Sequence, residues 1–86
     1  MSENSELRMI IHSRLAVVLA EHNQARSKRG LKAITVRVLA IETGLARSTL
    51  AGLMNNRNRQ IAYSSIELLC KYFAKTPGDL FEHTYI

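Results

Sequence analysis

The sequence of 86 residues is poor in the residue types that cross-link, break or anchor a chain. It has one cysteine, one proline and no tryptophan, and only 6% of its residues are aromatic. A single cysteine cannot form an internal disulfide, which excludes a disulfide-rich secreted scaffold and favours a reducing compartment. No apolar stretch approaches the ~20 residues that a membrane-spanning helix requires, because polar residues follow Ile10 and Ile11 at once.

The first six residues, Met1 to Glu6, are polar and acidic, unlike the start of a signal peptide. We therefore expect a protein of the cytoplasm with no membrane partner. The length suits one small domain near the lower limit for a self-sufficient core. We predict a single domain over residues 1–86, in which residues 1–5 are disordered.

Charge is unevenly distributed along the chain, whose net charge is +5. Residues 25–60 contain eight basic residues and one acid, Glu42, for a net charge of +7, while the flanks carry −2. Basic charge gathered in one stretch favours a polyanion such as nucleic acid as a partner. A solvated basic face is the alternative that charge alone leaves open.

Long stretches are free of glycine and proline, and no window alternates apolar and polar residues over a strand's length, which predicts an all-α fold. We expect the first helix to begin near Glu6 or Leu7. The sequence leaves the end of this helix undecided between Asn23 and Gly30. We favour the longer helix, which Gly30 would end in a left-handed conformation. Its predicted buried stripe, with helical spacing, is Leu7, Ile11, Leu15, Val18, Leu19 and His22.

The last two predicted helices have clear boundaries. The fourth spans about Tyr63 to Phe73. The fifth begins at Pro77, whose missing N–H costs nothing in a first turn, with Thr76 as cap and Asp79 as the acid of a capping box. Together with the two central helices, they predict five helices packed as an orthogonal bundle.

The second and third helices are joined by a short turn. Thr35 is a suitable N-cap for the second, Gly44 ends it, and the third runs from Arg47 to Met54 or Asn55. Two helices that cross steeply over such a turn need a small residue at their contact and a positive φ in the turn. The sequence therefore predicts a helix-turn-helix at about residues 35–55. The small residue, the turn glycine and the apolar contacts that it needs are Leu39, Ala40, Gly44, Leu45, Leu50 and Leu53.

This pattern resembles the Cro and lambda-repressor-like (XRE-type) family of five-helix DNA-binding domains, which act mainly as transcriptional regulators. The resemblance covers roughly residues 11–82. It includes Thr-x-x-x-Leu-Ala-x-x-x-Gly at 35–44, Arg-Ser-Thr-Leu at 47–50 and Pro-Gly-Asp-Leu-Phe-Glu at 77–82. It implies that helices 2 and 3 form the helix-turn-helix and that the second of them enters the major groove of double-stranded DNA.

Carried over position by position, the resemblance places Arg47, Ser48 and Gly52 on the groove-facing side of the recognition helix, where they would read bases. Arg47 is the leading candidate, because a guanidinium can donate twice to guanine. A phosphate contact or a free surface arginine is the alternative. Gly52 departs from the family, in which a longer polar side chain is common; a glycine cannot read a base but allows close approach of the backbone.

The family's phosphate contacts come from the start of the first motif helix and from the loop after the recognition helix. Two departures affect this surface: Val36 stands where relatives often have glutamine, and Ala46 is a poor N-cap, which costs about 1 kcal/mol of helix stability. The asparagines also have a structural interpretation, since Asn tolerates the left-handed conformation at a helix end. The implied phosphate-contacting residues are Thr35, Arg37, Asn55, Asn56, Arg57 and Arg59.

Catalytic and metal-dependent functions are disfavoured. His12, His22 and His83 form no cluster with metal-ligand spacing. Cys70 falls on the apolar stripe of the fourth helix, as a core thiol rather than a nucleophile would. We expect no enzyme activity, no catalytic residue, no metal and no cofactor.

We therefore predict sequence-specific binding to double-stranded DNA by a transcriptional regulator that represses at a palindromic operator as a homodimer. The alternative is an antitoxin-type module that binds a small protein partner and its own promoter. RNA binding is less favoured, since exposed aromatic platforms are lacking.

Two groups of apolar residues have no obvious place in a five-helix core, and each is a candidate dimer contact. The alternative for the first is that Tyr85 and Ile86 fold back on the fourth helix. The first group is Leu80, Phe81, Tyr85 and Ile86, and the second is Val17, Val38 and Ile41.

Overall fold

A computed structural model describes residues 8–85, in which five helices are flanked by two short strands. The helical content confirms the predicted five-helix class. The predicted disorder of residues 1–5, Leu7 of the first stripe and Ile86 lie outside the described residues. The elements are β1 (Met9–Ser13), α1 (Leu15–Lys28), α2 (Val36–Thr43), α3 (Arg47–Met54), α4 (Tyr63–Phe73), α5 (Pro77–Leu80) and β2 (Phe81–Tyr85).

A two-stranded antiparallel sheet joins the two ends of the described chain, with Met9 opposite Tyr85 and Ser13 opposite Phe81. The predictions that the first helix begins near Glu6 or Leu7 and that the chain has no strand are therefore wrong. A short apolar run such as residues 9–11 fits either a helix or a strand. Its pairing partner lies at the opposite end of the sequence, so a local pattern of apolar residues cannot reveal the pairing. Tyr85 pairs with β1, so it does not fold back onto α4.

Helix α1 begins after a junction with the end of α5. The Arg14 N–H donates to the Leu80 carbonyl at 2.7 Å, and the Leu15 N–H donates to the Ser13 hydroxyl at 3.2 Å. At the other end Gly30 has φ +72°, its N–H donates to the Ser27 carbonyl, and the next N–H donates to the Arg26 carbonyl. These two bonds form a Schellman motif, so the longer first helix, closed at Gly30, is confirmed.

The core lies where all five helices meet. Leu39 and Leu50 are completely buried, and they hold the two helices of the predicted helix-turn-helix against α1 and α4. Burial of a leucine contributes about 1.5–3 kcal/mol relative to exposure. The buried set is Leu15, Val18, Leu19, Ile34, Leu39, Ala40, Leu50, Leu53, Leu69, Phe73 and Leu80.

The short helix α5 is held by its first turn. The Asp79 carboxylate accepts from the backbone N–H and from the hydroxyl of Thr76, each at 3.0 Å. This confirms the predicted role of both residues and directs the chain from α4 into β2. Within residues 8–85, no helix is long and apolar enough to cross a membrane.

Candidate nucleic-acid interface

Helices α2 and α3 form the predicted helix-turn-helix. The Thr35 hydroxyl accepts from the Val38 N–H at 3.1 Å, which caps α2. Gly44 has φ +78° and its N–H donates to the Ala40 carbonyl at 2.9 Å, which ends the helix and turns the chain. Ala40 is buried, as expected for the small residue where the two helices touch. The cap, the turn and the contact all agree with the sequence prediction.

The loop before α2 is fixed by a residue that sequence reasoning overlooked. The Asn23 amide donates to the Ile34 carbonyl at 2.9 Å, and its oxygen accepts from the Ile34 N–H at 2.7 Å. This paired bond places the start of α2, with Thr35 and Arg37, at a fixed position against α1. The available signal was an asparagine, a poor helix former, within an otherwise helical pattern.

One open face of α3 carries the candidate base-reading residues. At about 100° per residue, Arg47, Ala51, Asn55 and Ser48 lie in that order across about one quarter of the helix surface. Arg47, Ser48 and Asn55 are exposed and Ala51 is half-buried. Ala46 makes no side-chain cap, as its residue type implies. The structure thus brings Arg47 and Ser48 onto one accessible surface.

Gly52 does not share that face, so the prediction that it points outward to the groove is wrong. It is buried, and a Cβ added there would overlap the side-chain amide of Asn58. The Asn58 amide also donates to the Thr49 carbonyl at 3.1 Å. Gly52 is therefore the place where the loop after α3 folds back onto the helix, and Ala51 occupies the outward position. The burial depends on the loop's return path, which helical periodicity alone cannot show.

The end of α3 fixes the start of that loop. Asn56 has φ +55°, its N–H donates to the Leu53 carbonyl at 3.3 Å, and the Arg57 N–H donates to the Gly52 carbonyl at 2.8 Å. This is a Schellman motif with asparagine in the left-handed position. The structural interpretation of the asparagine is thus confirmed for Asn56, and the Arg57 backbone is held immediately beyond the recognition helix.

The Asn56 side chain connects this loop to the sheet. Its oxygen accepts from the Ser13 N–H at 2.8 Å, and its amide donates to His12 Nδ1 at 3.2 Å. The other ring nitrogen of His12 then donates to the Thr84 hydroxyl at 3.0 Å. One chain of hydrogen bonds therefore runs from the end of α3 through β1 to β2. Of the predicted phosphate-contacting residues, Asn56 is the one that already has protein partners through both of its amide atoms.

The remaining predicted phosphate-contacting residues lie at the two ends of the helix-turn-helix. Thr35 and Arg37 are exposed at the start of α2, and Arg57 and Arg59 are exposed in the loop after α3. Among the described residues, the only ion pair joins Arg14 to Glu82 at 3.7 Å. The positive charges around α3 therefore face solvent without a described carboxylate to neutralise them.

Groups capable of other chemistry lie away from this surface. Burial raises the pKa of the Cys70 thiol, with a smaller contribution from Asp79, which leaves less of the reactive thiolate. Burial, and then the hydrogen bond that its hydroxyl donates to Glu42, raise the pKa of Tyr72 to about 12. Within residues 8–85, no three His, Cys, Asp or Glu side chains cluster as a metal site would require.

Comparison with known proteins adds one finding. The model of a protein family, the Cro/C1-type HTH DNA-binding domain, matches residues 14–84 of the chain. The matched segment runs from the residue before α1 into β2, and so includes the whole helix-turn-helix. No curated protein and no solved structure was found to match.

Proposed function

Since this chain belongs to the family of Cro/C1-type helix-turn-helix DNA-binding domains, we propose that it is a transcriptional regulator that represses by occupying a specific operator in double-stranded DNA. DNA binding follows from the family. The regulatory role, the readout residues and the dimeric state form the proposal.

The observation that carries the proposal is the open face of α3. Arg47 stands at the exposed start of this helix, where a guanidinium can donate twice to guanine O6 and N7 in the major groove. Ser48 lies beside it as a shorter donor and acceptor. The half-buried Ala51 replaces Gly52 in the face and offers a methyl group, which suits contact with a thymine methyl.

The residues around this face suit contacts with the DNA backbone. Arg57 and Arg59 lie in the loop after α3 and Arg37 lies in the first turn of α2, so exposed cations stand at both ends of the helix-turn-helix. Thr35 accepts the capping bond and keeps its hydroxyl proton for a phosphate oxygen. Such contacts fix the position of the helix and supply most of the salt-dependent affinity.

Two copies are required for a useful specificity. One recognition helix contacts too few base pairs to distinguish an operator from the rest of a genome. We propose a homodimer on a palindrome, with half-sites about one helical turn, roughly 34 Å, apart.

Asn55 completes the groove-facing side, while Asn56 acts by fixing the loop that carries Arg57.

Selection of bound DNA from a random pool tests this proposal. We expect enrichment of a palindrome whose half-sites share a guanine that the Arg47→Ala variant no longer prefers. Enrichment of unrelated sequences without any common site would contradict a sequence-specific function. Transcription from a promoter that contains the selected site should fall when the protein is added, and a rise would make it an activator instead.

A further inference from the structure

A cavity of about 720 Å³ lies between β1 and the loop after α3. Gly52 and Leu53 of α3 and Phe81 at the start of β2 also line it, so elements from both ends of the described chain enclose it. Sites for small molecules commonly have volumes of about 300–1,000 Å³. The space is therefore large enough for a small organic ligand.

The lining of this cavity combines apolar and cationic side chains. Met9, Ile11 and Ile61 provide apolar surface, and Arg8 and Arg59 provide two positive charges. None of the described lining residues is acidic, and neither arginine forms an ion pair within residues 8–85. A guanidinium binds a carboxylate or a phosphate through two parallel hydrogen bonds. The lining thus suits a ligand that has an apolar body and an anionic group, whereas a wholly apolar occupant would use neither charge.

One wall of the cavity is the loop that carries two of the proposed phosphate contacts. Asn56 and Asn58 line the cavity, and their side chains hold the loop to Ser13 and to Thr49. Arg59 comes next in the chain and is exposed. A ligand in the cavity would therefore touch the segment that DNA binding requires in a fixed position.

The same arginine cannot serve two anions at once. The guanidinium of Arg59 can donate either to an anionic group in the cavity or to a phosphate of the DNA backbone, since its donors lie in one rigid plane. A bound anion also places a negative charge beside the surface that the DNA backbone approaches, which repels the phosphates. Both effects weaken DNA binding when the cavity is occupied.

We propose that this cavity binds a small anionic molecule with an apolar body, that Arg8 and Arg59 hold its anionic group, and that the bound molecule weakens DNA binding by engaging Arg59. The effect on DNA rests on the proposed function, whereas binding of the ligand does not. Ligand and DNA then oppose each other reciprocally, as two linked binding equilibria must.

A pair of fluorescent probes tests the cavity. Anilinonaphthalenesulfonate has an apolar ring system and one negative charge, and phenylnaphthylamine has a similar ring system without the charge. We expect the wild type to bind the sulfonate and its dissociation constant to rise about tenfold in Arg8→Ala and in Arg59→Ala, because each variant loses a charged hydrogen-bond donor. Binding of the uncharged probe should not depend on either arginine.

Arg29→Ala is the matched control. It removes the same charge at the end of α1, whereas β1 precedes the start of that helix. The control should bind the sulfonate as the wild type does, and circular dichroism confirms that each variant is folded. The proposal is overturned if the sulfonate does not bind, if both probes respond alike to the two cavity variants, or if Arg29→Ala weakens binding as much as Arg8→Ala.

The effect on DNA is measured separately, with the operator obtained by selection. Saturating sulfonate should lower the operator affinity of the wild type roughly fivefold, about the loss expected from one phosphate contact. The affinity of Arg59→Ala should not fall further when the sulfonate is added. An operator affinity that saturating sulfonate leaves unchanged would overturn the regulatory effect. A protein that binds the sulfonate through both arginines and selects no DNA sequence would contradict the proposed function and leave the ligand site supported.

Discussion

The helix-turn-helix and the two-stranded sheet are built in opposite ways. In the former, Leu39 and Leu50 have no exposed surface, and the cap at Thr35 and the turn at Gly44 are satisfied by neighbours a few residues away. In the sheet, Met9, Ile11 and Tyr85 are more than half exposed, and the pairing joins opposite ends of the described chain. The helix-turn-helix thus takes its cap and turn from local sequence, whereas the sheet depends on closure of the fold.

This difference separates a rigid display of side chains from an exposed apolar surface. Reading a base needs side chains held rigidly on one helix, which a dry core and local caps provide. The sheet instead presents exposed apolar side chains at Met9, Ile11 and Tyr85. The Ser13 N–H donates to the Asn56 side-chain oxygen, the Asn56 amide donates to His12, and these bonds connect the two regions.

The largest expected effect contrasts one leucine of the core with one isoleucine of the sheet. Leu50→Ala should lower the free energy of unfolding by about 2–5 kcal/mol, because it leaves a cavity at a site with no exposed surface. Ile11→Ala should lower that of the monomer by less than about 1 kcal/mol, since Ile11 is mostly solvated. Urea unfolding at a concentration where dissociation is complete measures both. Equal losses would remove the distinction between the regions.

A smaller effect is expected at the turn. Gly44→Ala should lower the free energy of unfolding by about 1–2 kcal/mol, because the backbone has φ +78° there. No atom lies within 4 Å of the added Cβ, so a steric clash does not contribute. The loss is thus purely conformational. Gly78→Ala is the matched control: its φ is not positive, its nearest contact is 3.7 Å away, and no loss is expected. Thermal unfolding compares the two, and an unharmed Gly44→Ala would mean that the turn tolerates an ordinary residue.

What could be predicted from the sequence follows the same division. The bounds of α2, α3 and α4, the closure at Gly30 and the cap at Thr35 depend on signals within a few residues, and each was predicted correctly. The strand at Met9–Ser13 was predicted as helix, because its partner comes at the end of the chain. Apolar spacing alone does not distinguish the two structures over five residues.

The residues of the candidate site also divide into those that the local sequence predicts and those that it does not. The exposure of Arg47 and Ser48 follows from helical periodicity, and it agrees with the structure. Gly52 was misplaced because the loop returns over it, and the side chain responsible, Asn58, lies six residues further on. Contacts made by a returning loop are set by the tertiary fold and leave little trace in a local pattern.

The loop that joins the two regions provides a third test. Arg57→Ala with Arg59→Ala should reduce the slope of log affinity against log salt by about 2, if each arginine neutralises one phosphate. Between 50 and 200 mM salt the wild type should then lose about tenfold more affinity than the variant. Lys71→Ala with Lys75→Ala removes the same charge near the end of α4 and should leave the slope nearly unchanged. A changed base preference with an unchanged slope would refute the phosphate contacts.

The smallest effect is expected at α5, where the core leads into the sheet. The hydrogen bond from the Thr76 N–H, followed by that from the Thr76 hydroxyl, lowers the pKa of Asp79. A lowered pKa stabilises the fold above the pKa of the unfolded chain, about 4, and this contribution is lost as pH falls through the folded value. Asp79→Asn should therefore destabilise the protein at pH 7 and reduce the acid dependence of its melting temperature. An unaltered acid dependence would mean that the cap does not titrate.

We propose that Arg47 reads a base while the surrounding cations hold the DNA backbone. The most direct measurement is the affinity of the wild type and of Arg47→Ala for the selected operator and for every single-base-pair variant of it. We expect Arg47→Ala to lose about 1–3 kcal/mol of binding free energy at one base pair of each half-site, with discrimination preserved at the others. An Arg47→Ala protein with unchanged affinity and base preference would contradict it.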